Sequence, residues 1–337
     1  MTRPRSPGSP TSAGHPPSPG SPTGAGRSSS DAKRSPPAES WLAPERRFLL
    51  KAHLDALALS YDYPRHVARD PLQFVIRYPD AADAEVAAFV ASALAYGIVG
   101  RVLHDVENAL ARMGPSPALF VRGFDPHGHP EKAVFQGFLH RMTGEDEMRA
   151  LCHALGSALR EDGSVEARFA RFHSSGAATV REGLEGLVTT MRRDMEQVVL
   201  PGIPAEESKR RSRRIRFLLP CPSEGSACKR LNLVLRWMVR RQEGVDLGLW
   251  TAARPAQLIL PLDAHTVRLS QYLGLTRLTA PNWRMAEEIT AALRSLDPED
   301  PVKYDFALCH LGISGDCLRR HDADTCPRCP IGPLCHL

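Results

Sequence analysis

Residues 81–99 read AADAEVAAFVASALAYGIV, and the fold follows from how that run sits on a helix. Val86, Phe89, Val90, Ala93 and Leu94 recur at helical spacing with small residues between them. The run is therefore apolar on most of its circumference. Such a helix has no face to give to water and belongs at the centre of a bundle. Gly97 supplies a stop.

The flanking sequence has the same character. Upstream, PERRFLLKAHLDALALSY places Phe48, Leu49, His53, Leu54, Leu57 and Tyr61 at helical spacing behind Pro44, a residue the first turn tolerates. RDPLQFVIRYP then reads as a short helix or turn. From Arg101 to about Val199, the runs VLHDVENALARM, KAVFQGFLHRM, DEMRALCHALGSAL, VEARFARF and REGLEGLVTTMRRDMEQVV each carry one apolar stripe between Gly, Pro or Ser breaks. No run alternates with β-branched residues for long, so few strands are expected. There is no internal repeat. Helices joined by short loops make the fold class all-α.

Composition bounds the rest. Of 337 residues, 42% are hydrophobic, enough for a sizeable core. Nothing runs to eighteen consecutive apolar residues, and no apolar leader opens the chain, which points to a cytoplasmic protein with no membrane partner. A net charge of +5 hints at an anionic partner and decides little alone. Residues 1–40, rich in Ser, Pro and Gly, cannot bury enough apolar surface to order themselves and read as a disordered, weakly basic tail. A helical domain then spans 41–308, with an insertion at about 115–205, and a Cys-rich loop closes the chain at 309–337.

Three places carry chemistry. The loop is Cys317-LRRHDADT-Cys326-PR-Cys329-PIGPL-Cys335, and four thiols so close in a reducing compartment read as a metal or iron–sulfur site before they read as disulfides. Cys309, one short helix upstream, reads as a buried thiol, as do Cys152, Cys221 and Cys228. The second place is a basic run holding Lys209, Arg210, Arg211, Arg213, Arg214 and Arg216, either a solvated face or a phosphate-binding surface.

The third is a pair. Lys229 falls in the first turn of a helix whose apolar face is Leu231, Val234, Leu235 and Met238. The helix dipole there disfavours a cation, and only a neutral amine attacks carbon. The plain alternative is a lysine head reaching solvent. Asp263 stands at the N-cap of a helix running from about Ala264 to Leu273 and closed by Gly274. It serves there as a cap or as a carboxylate held rigidly at a cleft. His265 reads as a polar group at the helix start. Two more helices follow, one behind Pro281 and one capped by Asp297 or Asp300 and stopped by Gly312, which delivers Cys309.

Taken together, a lysine helix, Pro261-LDAH opening a second helix, two further helices and a terminal cysteine loop resemble the endonuclease III branch of the helix-hairpin-helix DNA glycosylases. That family's loop runs C-x6-C-x2-C-x5-C. Here Cys326-x2-Cys329-x5-Cys335 keeps the last two spacings, and the first gap holds eight residues. Leu262-Asp263-Ala-His265 resembles the family's V-D-T-H, and Lys229-RLNLVL its K-T-A-N-V-V-L helix. FVASALAYG resembles its core helix L-L-S-A-Q-A-T, with Ala95 where the family has glutamine. The stretches GSACKRLN and DPEDPVKYDFAL resemble a bacterial branch of uncharacterised function.

Two departures stand out. Leu219-Pro220-CPSE-Gly225 replaces the hairpin L-P-G-[IV]-G, and thirty-three residues separate Lys229 from Asp263. The resemblance implies a two-lobed helical fold with Lys229 as Schiff-base nucleophile and Asp263 as stabiliser of the developing cation. It implies a [4Fe-4S] cluster on Cys317, Cys326, Cys329 and Cys335, with zinc as the alternative. The implied partner of this monomeric, nucleoid-associated protein is duplex DNA with a damaged or abasic nucleotide, gripped by the 209–216 run and by Arg319, Arg320 and Arg328. A non-catalytic nucleic-acid-binding protein on the same fold is the other reading.

Overall fold

The computed structural model describes residues 42–128, 133–313 and 317–336; the tail expected over 1–40 lies outside them. The fold is mostly helical, as expected. Helices α1 (Pro44–Ser60), α2 (Tyr63–Val67), α3 (Leu72–Ile76), α4 (Ala81–Ala93), α5 (Val99–Met113) and α6 (Pro117–Gly123) come first. A hairpin of β1 (Leu139–His140) and β2 (Thr143–Gly144) precedes α7 (Glu145–Glu161), α8 (Val165–Ala170), α9 (Arg181–Val199) and α10 (Ala205–Leu218). Then come α11 (Lys229–Val239), a second hairpin of β3 (Arg241–Gln242) and β4 (Asp246–Leu247), α12 (Ala264–Tyr272), α13 (Trp283–Arg294) and α14 (Asp305–Ile313). No helix of the described residues is long and apolar enough to cross a membrane.

The central helix sits where its composition put it. Every residue from Ala84 to Ala93 is buried, and α3, α5, α6 and α11 pack around α4. Its one buried charge is satisfied in full. Glu85 accepts the Val165 and Glu166 amides at 2.9 and 2.8 Å, capping α8, and the Trp250 indole N–H at 2.9 Å. In the stretch read from sequence as an insertion, α7 packs on α6 and α9. At Gly156 of α7 the approach is too close for a side chain: a Cβ would fall 2.0 Å from the Val121 carbonyl oxygen.

Four local expectations fail for identifiable reasons. The described part of KAVFQGFLHRM, residues 133–142, does not form an α-helix. His140 is buried, with Nδ1 at 2.7 Å from Asp105 Oδ2 and Nε2 at 3.0 Å from the Tyr96 carbonyl, and the Tyr96 hydroxyl sits 2.8 Å from both His140 O and Thr143 Oγ1. Those tertiary bonds hold the run as a hairpin. On α1 it is Leu50, Leu54 and Leu57 that turn inward, leaving Phe48 and Leu49 exposed. The last helix begins only at Asp305, because Asp297 accepts the Glu299 and Asp300 amides in a turn. Gly312 is not a stop but lies within α14, where a Cβ would come 2.6 Å from the His265 Cβ, so its lack of a side chain lets α12 and α14 close up.

Candidate functional site

Lys229 is the first residue of α11, behind Cys228, whose φ of 48° is left-handed in a non-glycine residue. Asp263 is the N-cap of α12, and its Oδ1 accepts the His265 and Thr266 amides at 2.9 and 2.6 Å. The other end of α12 closes as the sequence predicts. Gly274, at φ 71°, donates to Gln271 O and Leu275 donates to Ser270 O, the two bonds of a Schellman motif. Both caps are local chemistry.

The tertiary fold brings the two residues together. A cavity of about 410 Å³ is walled by Ala95, Tyr96 and Gly97 after α4, by Lys229, Leu233, Arg236 and Trp237 on α11, by Asp263 to Thr266, and by Asp305, Phe306, Cys309 and His310 on α14. A wider cavity of about 780 Å³ adjoins it and shares Ala95, Tyr96, Gly97, Lys229, Asp263 and Ala264. Lys229 and Asp263 thus stand where the inner space meets the outer one. The Lys229 amine donates to the Ala95 carbonyl at 3.5 Å and forms no ion pair among the described residues. Burial pushes the Asp263 carboxyl up, but the Lys229 charge, the Cys309 thiol and Thr266 outweigh it and hold the group below the usual carboxylate range.

Several lining groups escaped the sequence reading. Arg236 lies buried below the cavity, donating Nε to Asp246 Oδ1 at 3.2 Å and Nη1 to Asp305 Oδ2. Burial pushes the Asp305 carboxyl up to about 6 against the pull of Arg236. His310 Nε2 is 3.4 Å from Asp70 Oδ2, its ring stacked on Phe306 at 4.2 Å. Trp237 is buried with its indole N–H unpartnered among the described residues. Arg230 lies over the rings of Phe217 and Tyr96 at 4.5 and 5.1 Å, joining the end of α10 to the cavity wall. The legible signal was helical spacing alone: positions 229, 233 and 236 share a face of α11, as do 305 and 309 on α14.

The cysteines and the basic run fare differently. Cys317, Cys326, Cys329 and Cys335 line one small cavity beside Leu269, and none of the eight cysteines is in a disulfide. The Asp322 amide donates to the Cys326 sulfur at 3.3 Å, while burial, Cys317 and Cys335 push the Cys329 thiol up. Four soft donors on one cavity suit an iron–sulfur cluster or zinc. Among the described residues, however, no three His, Cys, Asp or Glu side chains stand close enough to form a ready-made metal site. The loop is docked by α1: Arg46 donates to Leu273 O and Leu334 O at 3.0 and 2.9 Å, and His53 Nδ1 meets Pro330 O at 2.9 Å.

The run at 209–216 is the exposed side of α10 and is mostly paired within the chain. Lys209 meets Glu206, and Arg210 and Arg211 meet Glu207. Arg211 also meets Asp146, Arg214 meets Glu147, and Arg216 lies 3.9 Å from Glu224. Arg213 has no ion pair among the described residues, and Arg319, Arg320 and Arg328 are exposed on the cysteine loop. Six cations in sequence are therefore far fewer unpaired cations in space.

Fold and site together define a helical protein in which a lysine and a carboxylate line two adjoining cavities. The chain belongs to the family described as protein of unknown function (DUF2400), whose model matches residues 70–314. That span holds α4, Lys229 and Asp263. No curated protein and no solved structure matches the chain.

Proposed function

We propose that this protein is a base-excision DNA glycosylase with abasic-site lyase activity. The observation that carries the reading is the convergence of Lys229 and Asp263, with thirty-three residues between them in sequence, on two joined cavities that both line. A sugar carbon is inaccessible within stacked DNA, so its nucleotide must be turned out into such a space. The inner cavity would take the base, between Phe306 and Trp237, and the outer one the backbone. The Lys229 ammonium would pass its proton to the departing base, and the amine would bond to C1′ as the bond from C1′ to the base breaks, the electron pair leaving with the base. Asp263 would stabilise the cationic character that develops on the sugar. Loss of the sugar-ring oxygen from C1′ leaves a Schiff base on Lys229.

Cys317, Cys326, Cys329 and Cys335 are the residues that would hold a [4Fe-4S] cluster, whose part would be to brace a loop presenting Arg319, Arg320 and Arg328 to phosphate. Iron and acid-labile sulfide are expected in anaerobically purified protein, and colourless, zinc-replete protein would refute the cluster.

Borohydride trapping on a panel of abasic and damaged-base duplexes tests the chemistry. Covalent adducts are expected from the wild type and none from Lys229→Ala. Undiminished adducts in the variant would remove the assignment. The second reading, a nucleic-acid-binding protein without catalysis, is favoured by the contact that parks the Lys229 amine on Ala95 O. Salt-sensitive binding to the panel with no adduct and no cleavage would establish it.

A further inference from the structure

Cys309 bears on the site in a way its sequence position does not suggest. It is half-buried on α14, and its Sγ lies 3.0 Å from Asp263 Oδ2. The other carboxylate oxygen, Oδ1, is already taken by the two amides of the α12 cap. Asp263 therefore has both oxygens engaged, one by its own helix and one by a thiol from another.

We propose that Cys309 is a positioning residue for Asp263: its S–H donates to Oδ2 and holds the carboxylate edge toward the cavity that Lys229 shares. A carboxylate is acceptor-only, so a bond at this distance requires the thiol to keep its proton. The surroundings enforce that. Burial raises the Cys309 thiol well above its ordinary range, and the Asp263 and Asp305 carboxylates raise it further, against the smaller opposing pull of Lys229. The groups facing Asp263 are Lys229 from α11, Cys309 and Asp305 from α14, and His265 and Thr266 from its own helix. Of these, Cys309 alone donates a side-chain hydrogen bond to Oδ2 from another element. The arrangement also makes the thiol unreactive, although the cavity gives a small electrophile a route to it, because only the thiolate attacks.

The functional meaning of this role rests on the reading of Lys229 and Asp263 as the reacting pair, but its test needs no DNA. Alkylation by iodoacetamide, mapped by peptide, should be slow at Cys309 in the wild type. Asp263→Asn removes the nearest negative charge and should speed it severalfold, because a larger share of the thiol is then thiolate. In carbon-13 titrations of labelled aspartate, Cys309→Ala should raise the pH at which Asp263 titrates, since a donor that favours the charged form is lost. Cys309→Ser keeps a donor and should titrate like the wild type. A merely packed thiol would still feel the Asp263 charge in the alkylation, but would leave the Asp263 titration unmoved in Cys309→Ala.

In the trapping assay the acid limb of the pH profile should follow the same order, with Cys309→Ala shifted up and Cys309→Ser restored. An unchanged Asp263 titration in Cys309→Ala overturns the inference, whatever the alkylation rate in Asp263→Asn. That result leaves the glycosylase reading to stand or fall on Lys229→Ala alone. Conversely, the expected shifts without any trapped adduct keep Cys309 on Asp263 and dismiss the glycosylase.

Discussion

Arg236→Met should destabilise the fold by about 3–5 kcal/mol, the usual cost of removing one partner from a buried ion pair. Arg236 is buried between Asp246 and Asp305, and Asp246 is also held by Arg240 at 2.6 Å. Taking the guanidinium away leaves Asp305 without its only ion-pair partner among the described residues. The loss should depend on pH with a definite sign. Burial already raises Asp305 to about 6, and without Arg236 the group is pushed higher still. A raised carboxyl contributes stability below the ordinary carboxylate range and loses it as pH rises through its folded value. The penalty should therefore grow as pH rises above about 6 toward the variant's still higher value, and shrink on acidification. Urea unfolding of wild type and variant across that range measures it. Adding Asp305→Asn should recover part of the loss, and a double variant no more stable than Arg236→Met would count against the pairing argument. Because Arg236 and Asp305 both line the 410 Å³ cavity, the same variant should also loosen the wall that α11 and α14 contribute to it.

Arg168→Met should cost a similar amount, about 3–5 kcal/mol, but in another part of the molecule. Its guanidinium is buried among α7, α8 and α9. Nε donates to Asp162 at 2.6 Å, Nη1 to Asp194 at 2.5 Å, and Nη2 to Glu161 and Ser157 at 2.8 and 3.1 Å. Its four partners lie on α7, just after it, and on α9. The loss should therefore be local to the insertion. Hydrogen exchange should quicken in α7 to α9 while α11 and α14 keep their protection. Uniform loss across all helices would show that the insertion does not open as a separate unit. Arg168→Lys should recover only part, because one ammonium cannot reproduce a planar fork that reaches three carboxylates.

Much of this molecule was legible locally. The buried α4, the start of α11 at Lys229, the cap at Asp263 and the close of α12 at Gly274 each follow from residues within a turn or two of one another. Capping, left-handed glycine and apolar periodicity act over that range, so a sequence displays them directly. The four cysteines, close in sequence, also line one cavity, although no three of them stand close enough for a ready-made metal site among the described residues.

What the sequence could not display are bonds between distant positions. Lys229 to Ala95 spans 134 residues, Trp250 to Glu85 spans 165, and Cys309 to Asp263 spans 46. Nothing in the local pattern of either partner marks such a bond. KAVFQGFLHRM shows the same limit from the other side. Its helical stripe is real, but His140 finds Asp105 and Tyr96, and bonds made only in the folded protein outweigh a weak local preference. Half of the pairing of the basic run is local, to Glu206 and Glu207 one turn away on α10, but Asp146, Glu147 and Glu224 come from other helices and turns and no sequence pattern marks them. Sequence alone therefore determined that this is a helical protein, and which lysine, carboxylate and thiols merit attention. The tertiary structure alone decided that the lysine and carboxylate share a cavity and that a distant thiol holds the carboxylate, because both facts depend on how helices pack and not on how each one forms.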